Sequence, residues 1–125
     1  MGKKILLIED EAVIIEILEK KLVKEGYEIA VARNGVQGLK ILKESSPDLI
    51  LLDLVMPEMG GFEFMETINL PENRHLVKVP IIIISNSGQP VDLERAQELG
   101  AKDWLIKTEF QPQEVIDKIK KQLNK

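Results

Sequence analysis

Five polar side chains stand at or just past the ends of apolar runs: Glu9 and Asp10 after "ILLI", Asp53 after "LILL", Ser85 after "IIII" and Lys107 after "WLI". Two neighbouring carboxylates disfavour each other's ionisation, so a buried strand that ends on Glu9-Asp10 expects positive charge there. Asp53 brings a third acid. Three carboxylates with no thiol or imidazole beside them form a hard-oxygen donor set, which suits Mg2+. Magnesium keeps several waters and takes one or two carboxylates together with phosphate oxygens. Lys107 and Ser85 would then supply a charge and a hydroxyl donor to phosphoryl oxygens.

This set works only if the fold gathers it. The 125 residues are one domain's worth, enough for a real core. Strands are expected over 4–8, 27–33, 49–54, 79–85 and 103–107, and helices over 12–26, 35–45, 61–70, 91–100 and 111–124. In the first helix Val13, Ile14, Ile17, Leu18 and Leu22 are expected to share the buried face, with Gly26 as its stop. Val115, Ile116, Ile119 and Leu123 do the same in the last, where Pro112 stands at the start. A βα unit repeated five times implies a parallel sheet covered on both faces. Right-handed crossovers leave few topologies, and the flavodoxin-like (βα)5 three-layer sandwich with strand order 2-1-3-4-5 is the expectation. All C-terminal strand ends of such a sheet share one edge, where open α/β sheets bind ligands. In that order the acid pair, Asp53, Ser85 and Lys107 sit on four consecutive strands. A carboxylate can act as a nucleophile and form an aspartyl phosphate, and Asp53, between the acid pair and the hydroxyl, is the candidate.

Composition narrows the alternatives. The net charge of −4 argues against nucleic acid as a direct ligand. There is no cysteine, which excludes disulfides and zinc–thiolate sites. No apolar run approaches the roughly 18 residues of a membrane span. "MGKKILLIED" is too short in its apolar part for a secretion signal, and Leu6 stands where myristoylation wants a hydroxyl, so a cytoplasmic protein is expected. A flavin mononucleotide site wants a Ser/Thr/Gly cradle in the first loop, whereas "IEDEAV" is acidic; no GxxxxGK phosphate loop is present, and "EDEAV" lacks the leading Asp of aspartyl-phosphate hydrolases. Taken singly, each residue has a plainer reading: Asp10 as a helix cap, Ser85 as a turn residue, Lys107 as a solvated lysine. Their meeting on one edge favours a site. His75, in "LPENRHLVKVP", is expected at the surface without a phosphorelay role.

Over essentially its whole length the chain resembles the receiver domain of two-component response regulators. The resemblance rests on Glu9-Asp10 after strand 1, "DLVMPEMGG" from Asp53 to Gly61, Ser85 after strand 4 and Lys107 after strand 5. It implies one receiver domain over 1–125, with no output domain in this chain, that takes a phosphoryl group from a sensor histidine kinase or phosphotransfer protein onto Asp53. It implies Mg2+ held by Asp10, Asp53 and the main-chain carbonyl of Val55, with Glu9 acting through water. Ser85, Lys107 and Asn86 would contact the phosphoryl group, and Ser85 with Trp104 would form the switch. The helix 4–strand 5–helix 5 surface, roughly 91–124, would address a downstream effector protein. Such a protein catalyses only its own phosphotransfer and dephosphorylation. The alternative is an unphosphorylated pseudo-receiver that acts as a protein-interaction module.

Four departures from the family pattern stand out. Gly60 replaces the usual Asp and deprives the third helix of a cap. Asn86 replaces a small residue beside the phosphoryl pocket. Thr108 replaces the Pro after Lys107, so that peptide is expected in trans, with Phe110 packed inward and Thr108 available to cap the chain before Pro112. Asp117 stands where DNA-binding members place an Arg opposite the acid at Asp103, so a monomer or weak dimer is expected.

Overall fold

The computed structural model describes residues 2–76, 78–86 and 89–124. It runs β1 (Lys4–Ile8), α1 (Ala12–Lys24), β2 (Glu28–Ala32), α2 (Gly35–Ser45), β3 (Leu49–Asp53), α3 (Gly61–Ile68), a 3₁₀ turn (Pro71–Leu76), β4 (Ile81–Ser85), α4 (Pro90–Glu98), β5 (Ala101–Ile106) and α5 (Pro112–Leu123). The five strands form one parallel sheet in the order β2-β1-β3-β4-β5, as expected. Among the described residues no helix is long and apolar enough to cross a membrane.

Strand side chains alternate between two cores. Ile5, Leu7, Leu49, Leu51, Ile82 and Ile84 face α1 and α5, against Ile15, Leu18, Leu22, Val115, Ile116 and Ile119. Leu6, Ile8, Ile50, Leu52, Ile81 and Ile83 face the other way, against Leu42, Phe64, Met65, Ile68 and Ala96 of α2, α3 and α4. Burial on both sides is why these strands read as unbroken apolar runs.

The first helix turns a different face inward from the one expected. Val13 and Ile17 are 67% and 43% exposed, while Ile15 is 6% exposed and buried with Leu18 and Leu22. Ile14 packs at the margin of that core. With Ile14, Ile15, Ile17 and Leu18 nearly contiguous, periodicity leaves the face open, and docking against α5 selects it. Past its C-cap the helix ends in a Schellman motif. Gly26 takes φ 92°, its N–H bonds Val23 O at 3.0 Å, and Tyr27 N–H bonds Leu22 O at 3.0 Å.

The segment expected as a connection between α3 and β4 contains the 3₁₀ turn, anchored by buried Asn73, whose side chain donates to Thr67 O at 2.9 Å. His75 is exposed there, as expected. On β5 a register shift lets Ile81 pair with Ala101 but Ile82 with Asp103. A one-residue slip exchanges the faces of every later side chain, so this bulge directs Trp104 toward the α4 side and Leu105 toward α5. Among the described residues no peptide bond is cis, so Lys107–Thr108 is trans, and Phe110 packs inward as expected. Thr108 does not cap α5. Gln111 occupies that position, and its N–H donates to Glu114 Oε1 at 3.2 Å.

α3 begins directly under the end of β3. A Cβ added to Gly61 would lie 2.5 Å from Asp53 O and 2.9 Å from Leu54 Cα, both backbone atoms. Gly61→Ala should therefore displace the β3 end and lower stability by about 1–3 kcal/mol, the range for overpacking. Urea unfolding measures it, and an unchanged midpoint would contradict the packing described.

Candidate functional site

The register lines up β1, β3, β4 and β5 so that their C-terminal ends form one row. Glu9 N–H extends the β1 ladder to Ala32 O at 2.9 Å, and Lys107 N–H extends the β5 ladder to Ser85 O at 2.8 Å. These two bonds fix the backbones from which Glu9 and Lys107 project.

Lys107 crosses the row. Its ammonium donates to Glu9 Oε2 at 3.0 Å, to Glu11 Oε1 at 3.0 Å and to Asp53 Oδ2 at 3.1 Å. The Lys107, Asp53 and Glu9 side chains are 4%, 3% and 1% exposed, whereas that of Glu11 is 50% exposed. Glu9 is held further by Asp10 N–H and Glu11 N–H, both 3.0 Å from Oε2. Its Oε1 lies 2.9 Å from the same ammonium, close enough for ion pairing but outside hydrogen-bond geometry, and has no hydrogen-bond partner among the described residues. Asp53 Oδ1 is held loosely, 3.4 Å from Val55 N.

Charge does not balance here. Glu9, Asp10, Glu11 and Asp53 surround one ammonium. Burial pushes the Glu9 carboxyl up to about 7, with Asp53 adding to the rise against hydrogen bonds from Glu11 N–H and Lys107. Burial also raises Asp53, against the pull of Lys107. Burial alone would lower the pKa of Lys107, but its bonds to Glu9 and Glu11 and the charge of Asp53 outweigh that and hold it above the ordinary range. Four carboxylates against one ammonium leave the site short of positive charge.

A divalent cation fits this donor set on two counts. Glu9, Asp10 and Asp53 bring carboxylate oxygens within 4.8 Å of one another, and Glu9 Oε1 is a buried oxygen without a hydrogen bond. Asp10 does not cap α1, whose N-cap is Glu11, and among the described residues no side chain caps that helix.

Asp10, Glu11, Asp53, Val55, Ser85, Asn86, Gln89 and Lys107 line one open cleft of about 510 Å³. Every residue expected at the phosphoryl or metal site is therefore at this edge, with Glu9 directly beneath it. Ser85 is buried and Asn86 exposed at the rim. Trp104 lies apart, partly buried against the α2–α4 core and beside a second cavity of about 230 Å³ between α4 and β5. Sequence reasoning missed Glu11 and Gln89. The signal for Glu11 was present, since "EDE" puts a third acid directly after the pair. Gly60 is the N-cap of α3 and offers no side-chain cap, as expected. Asp103 is held within the chain by Lys118 at 2.8 Å, and Asp117 accepts from Gln113 at 3.0 Å.

The chain matches the family model for the response regulator receiver domain over residues 5–120. It is 38% identical over 103 residues to the transcriptional regulatory protein AfsQ1 of Streptomyces coelicolor, covering 82% of this chain and 44% of that protein. The chain spans about half the length of the curated relatives it matches. A CheY-like response regulator receiver domain protein from Methanospirillum hungatei superposes with a TM-score of 0.87 at 25% identity, over 99% of this chain and 95% of that one. The receiver domain of sensor histidine kinase PA1611 from Pseudomonas aeruginosa, solved with a magnesium ion coordinated in its active-site cleft, superposes with a TM-score of 0.87 at 27% identity over the full length of both. With the family model matched over residues 5–120 and the five parallel strands in the order β2-β1-β3-β4-β5, this chain belongs to the response regulator receiver domain family.

Proposed function

We propose that this receiver domain accepts a phosphoryl group on Asp53 from a sensor histidine kinase or phosphotransfer protein, with Mg2+ as cofactor. The observation that carries the reading is the row of Asp53, buried and bonded to Lys107 at 3.1 Å, within 4.8 Å reach of two further carboxylates. An Asp53 oxygen attacks phosphorus. A new P–O bond forms as the P–N bond to the donor imidazole breaks, and the electron pair stays on nitrogen. Lys107 fixes Oδ2 and offers a charge to the transferred oxygens, and Ser85 offers its hydroxyl from the neighbouring strand. Asn86 stands at the rim to contact the same oxygens. Held by Asp10, Asp53 and the Val55 carbonyl, with Glu9 behind, Mg2+ would supply the positive charge that lets an anionic nucleophile meet an anionic donor. The cleft carries excess negative charge of its own, so an incoming anion needs that cation.

The new charge would then bias two packings of the α4–β5–α5 surface, with Ser85 drawn toward the phosphoryl oxygens and Trp104 following. The cavity of about 230 Å³ beside Trp104 gives that ring room to move. The receiver addresses a downstream effector through this face and touches neither nucleic acid nor membrane itself. The Asp103–Lys118 pair keeps Asp103 occupied within the chain, which supports a monomer or weak dimer. Residues 1–125 act as a single receiver domain in the cytoplasm. Turnover is limited to its own phosphotransfer and dephosphorylation.

Intact mass after incubation with acetyl phosphate and Mg2+ should show one added phosphoryl group that is absent in Asp53→Asn. A label that persists in that variant would place the phosphoacceptor at another residue, and none in the wild type would return the chain to a pseudo-receiver role. Titration of metal alone should change Trp104 emission, and Asp10→Asn should weaken the midpoint, since one ligand charge is lost. An equal midpoint in Asp10→Asn would place the metal elsewhere.

A further inference from the structure

The three hydrogen bonds of Lys107 are not equivalent. An ammonium has three protons, and here Glu9, Glu11 and Asp53 take all of them, at 3.0, 3.0 and 3.1 Å. A phosphoryl group on Asp53 needs one of those protons, so one carboxylate must let go. Glu9 is fixed, 1% exposed and tied to two backbone N–H groups. Asp53 carries the phosphoryl group itself. Glu11 is 50% exposed, sits at the N-cap of α1 without a side-chain bond to that helix, and lines the mouth of the cleft. Released, its carboxylate passes into water at little cost. Held, it puts a further negative charge beside the path of an incoming phosphoryl anion.

We propose that Glu11 is a positioning residue that clamps Lys107 in the resting protein and competes with phosphoryl oxygens for its third proton, thereby setting how readily the site accepts an anion. The proposal rests on Asp53 as phosphoacceptor. It assigns a rate-setting role to a position outside the acid pair, serine and lysine of the family pattern. Glu11→Gln should leave Lys107 its two buried partners while it frees one proton and removes one repulsive charge.

Two measurements test it. Beryllofluoride titrated at saturating Mg2+, with the bound form counted by its fluorine resonance, should bind Glu11→Gln about two- to fivefold more tightly than wild type, the range for removing one half-exposed charge interaction. Glu16→Gln carries the same charge change on an exposed part of α1 and should bind as wild type does. In metal-free protein, nitrogen-detected lysine spectra should show the Lys107 ammonium protons protected from exchange in wild type and exchanging faster in Glu11→Gln, with the melting temperature unchanged. Glu11→Asp, with a stem one carbon shorter, should loosen the ammonium likewise and gain less in anion binding. Equal beryllofluoride midpoints in wild type and Glu11→Gln, or unchanged ammonium exchange, would overturn the proposal alone. A wild-type protein that bound no beryllofluoride would overturn the phosphoacceptor reading and this proposal with it.

Discussion

One buried ammonium holds the functional edge of this protein together. Lys107 joins the end of β5 to Glu9 after β1 and to Asp53 at the end of β3, across residues 98 and 54 positions apart in sequence. Taking such charges out of water is costly unless every partner is close and well bonded. The parallel sheet meets that condition in part: its ladders continue one bond past β1 and β5 and place Glu9 and Lys107 from fixed backbones, while Glu9 Oε1 is left without a hydrogen bond among the described residues. Gly61, pressed against the Asp53 carbonyl, closes the edge from below.

The same edge works against stability. Four acids around one lysine leave net negative charge in a cleft whose inner members have side chains at most 4% exposed. Burial raises Glu9 from 4.5 to about 7 and raises Asp53 as well. A carboxyl whose pKa is higher in the folded state than in the unfolded chain favours folding when protonated. Its penalty grows as pH rises from the unfolded value toward the folded one, so at neutral pH the site is held at some expense to the fold. Buried excess charge of this kind is typical of residues kept for function at a cost in stability. The apolar sheet, buried on both faces, is what tolerates it.

Much of this was legible in the sequence, and the reasons differ by element. The strands were legible because "ILLI", "LILL" and "IIII" are apolar throughout, a pattern that only two-sided burial rewards. The strand order followed from repeated βα units, and the order in turn brought Asp53, Ser85 and Lys107 together. The buried face of α1 was not legible. Four of its residues between Ile14 and Leu18 are aliphatic, and the choice of Ile15 over Val13 and Ile17 belongs to the contact with α5. Nor was the bulge that lets Trp104 face α4, since it arises from pairing between β4 and β5. Glu11 escaped because an exposed acid beside two others reads as solvated charge, and only the reach of Lys107 makes it a partner.

The central claim is that Asp53 sits in a fold-imposed excess of negative charge that a divalent cation relieves. Thermal unfolding at neutral pH, with and without Mg2+, of the wild type and of Asp53→Asn tests it most directly. The wild type should melt higher as Mg2+ is added, by linkage of binding to folding. Without metal, Asp53→Asn should melt higher than the wild type and gain little from Mg2+, because the excess charge is already reduced. A metal-free Asp53→Asn that melted below the wild type, or a wild type indifferent to Mg2+, would contradict the account.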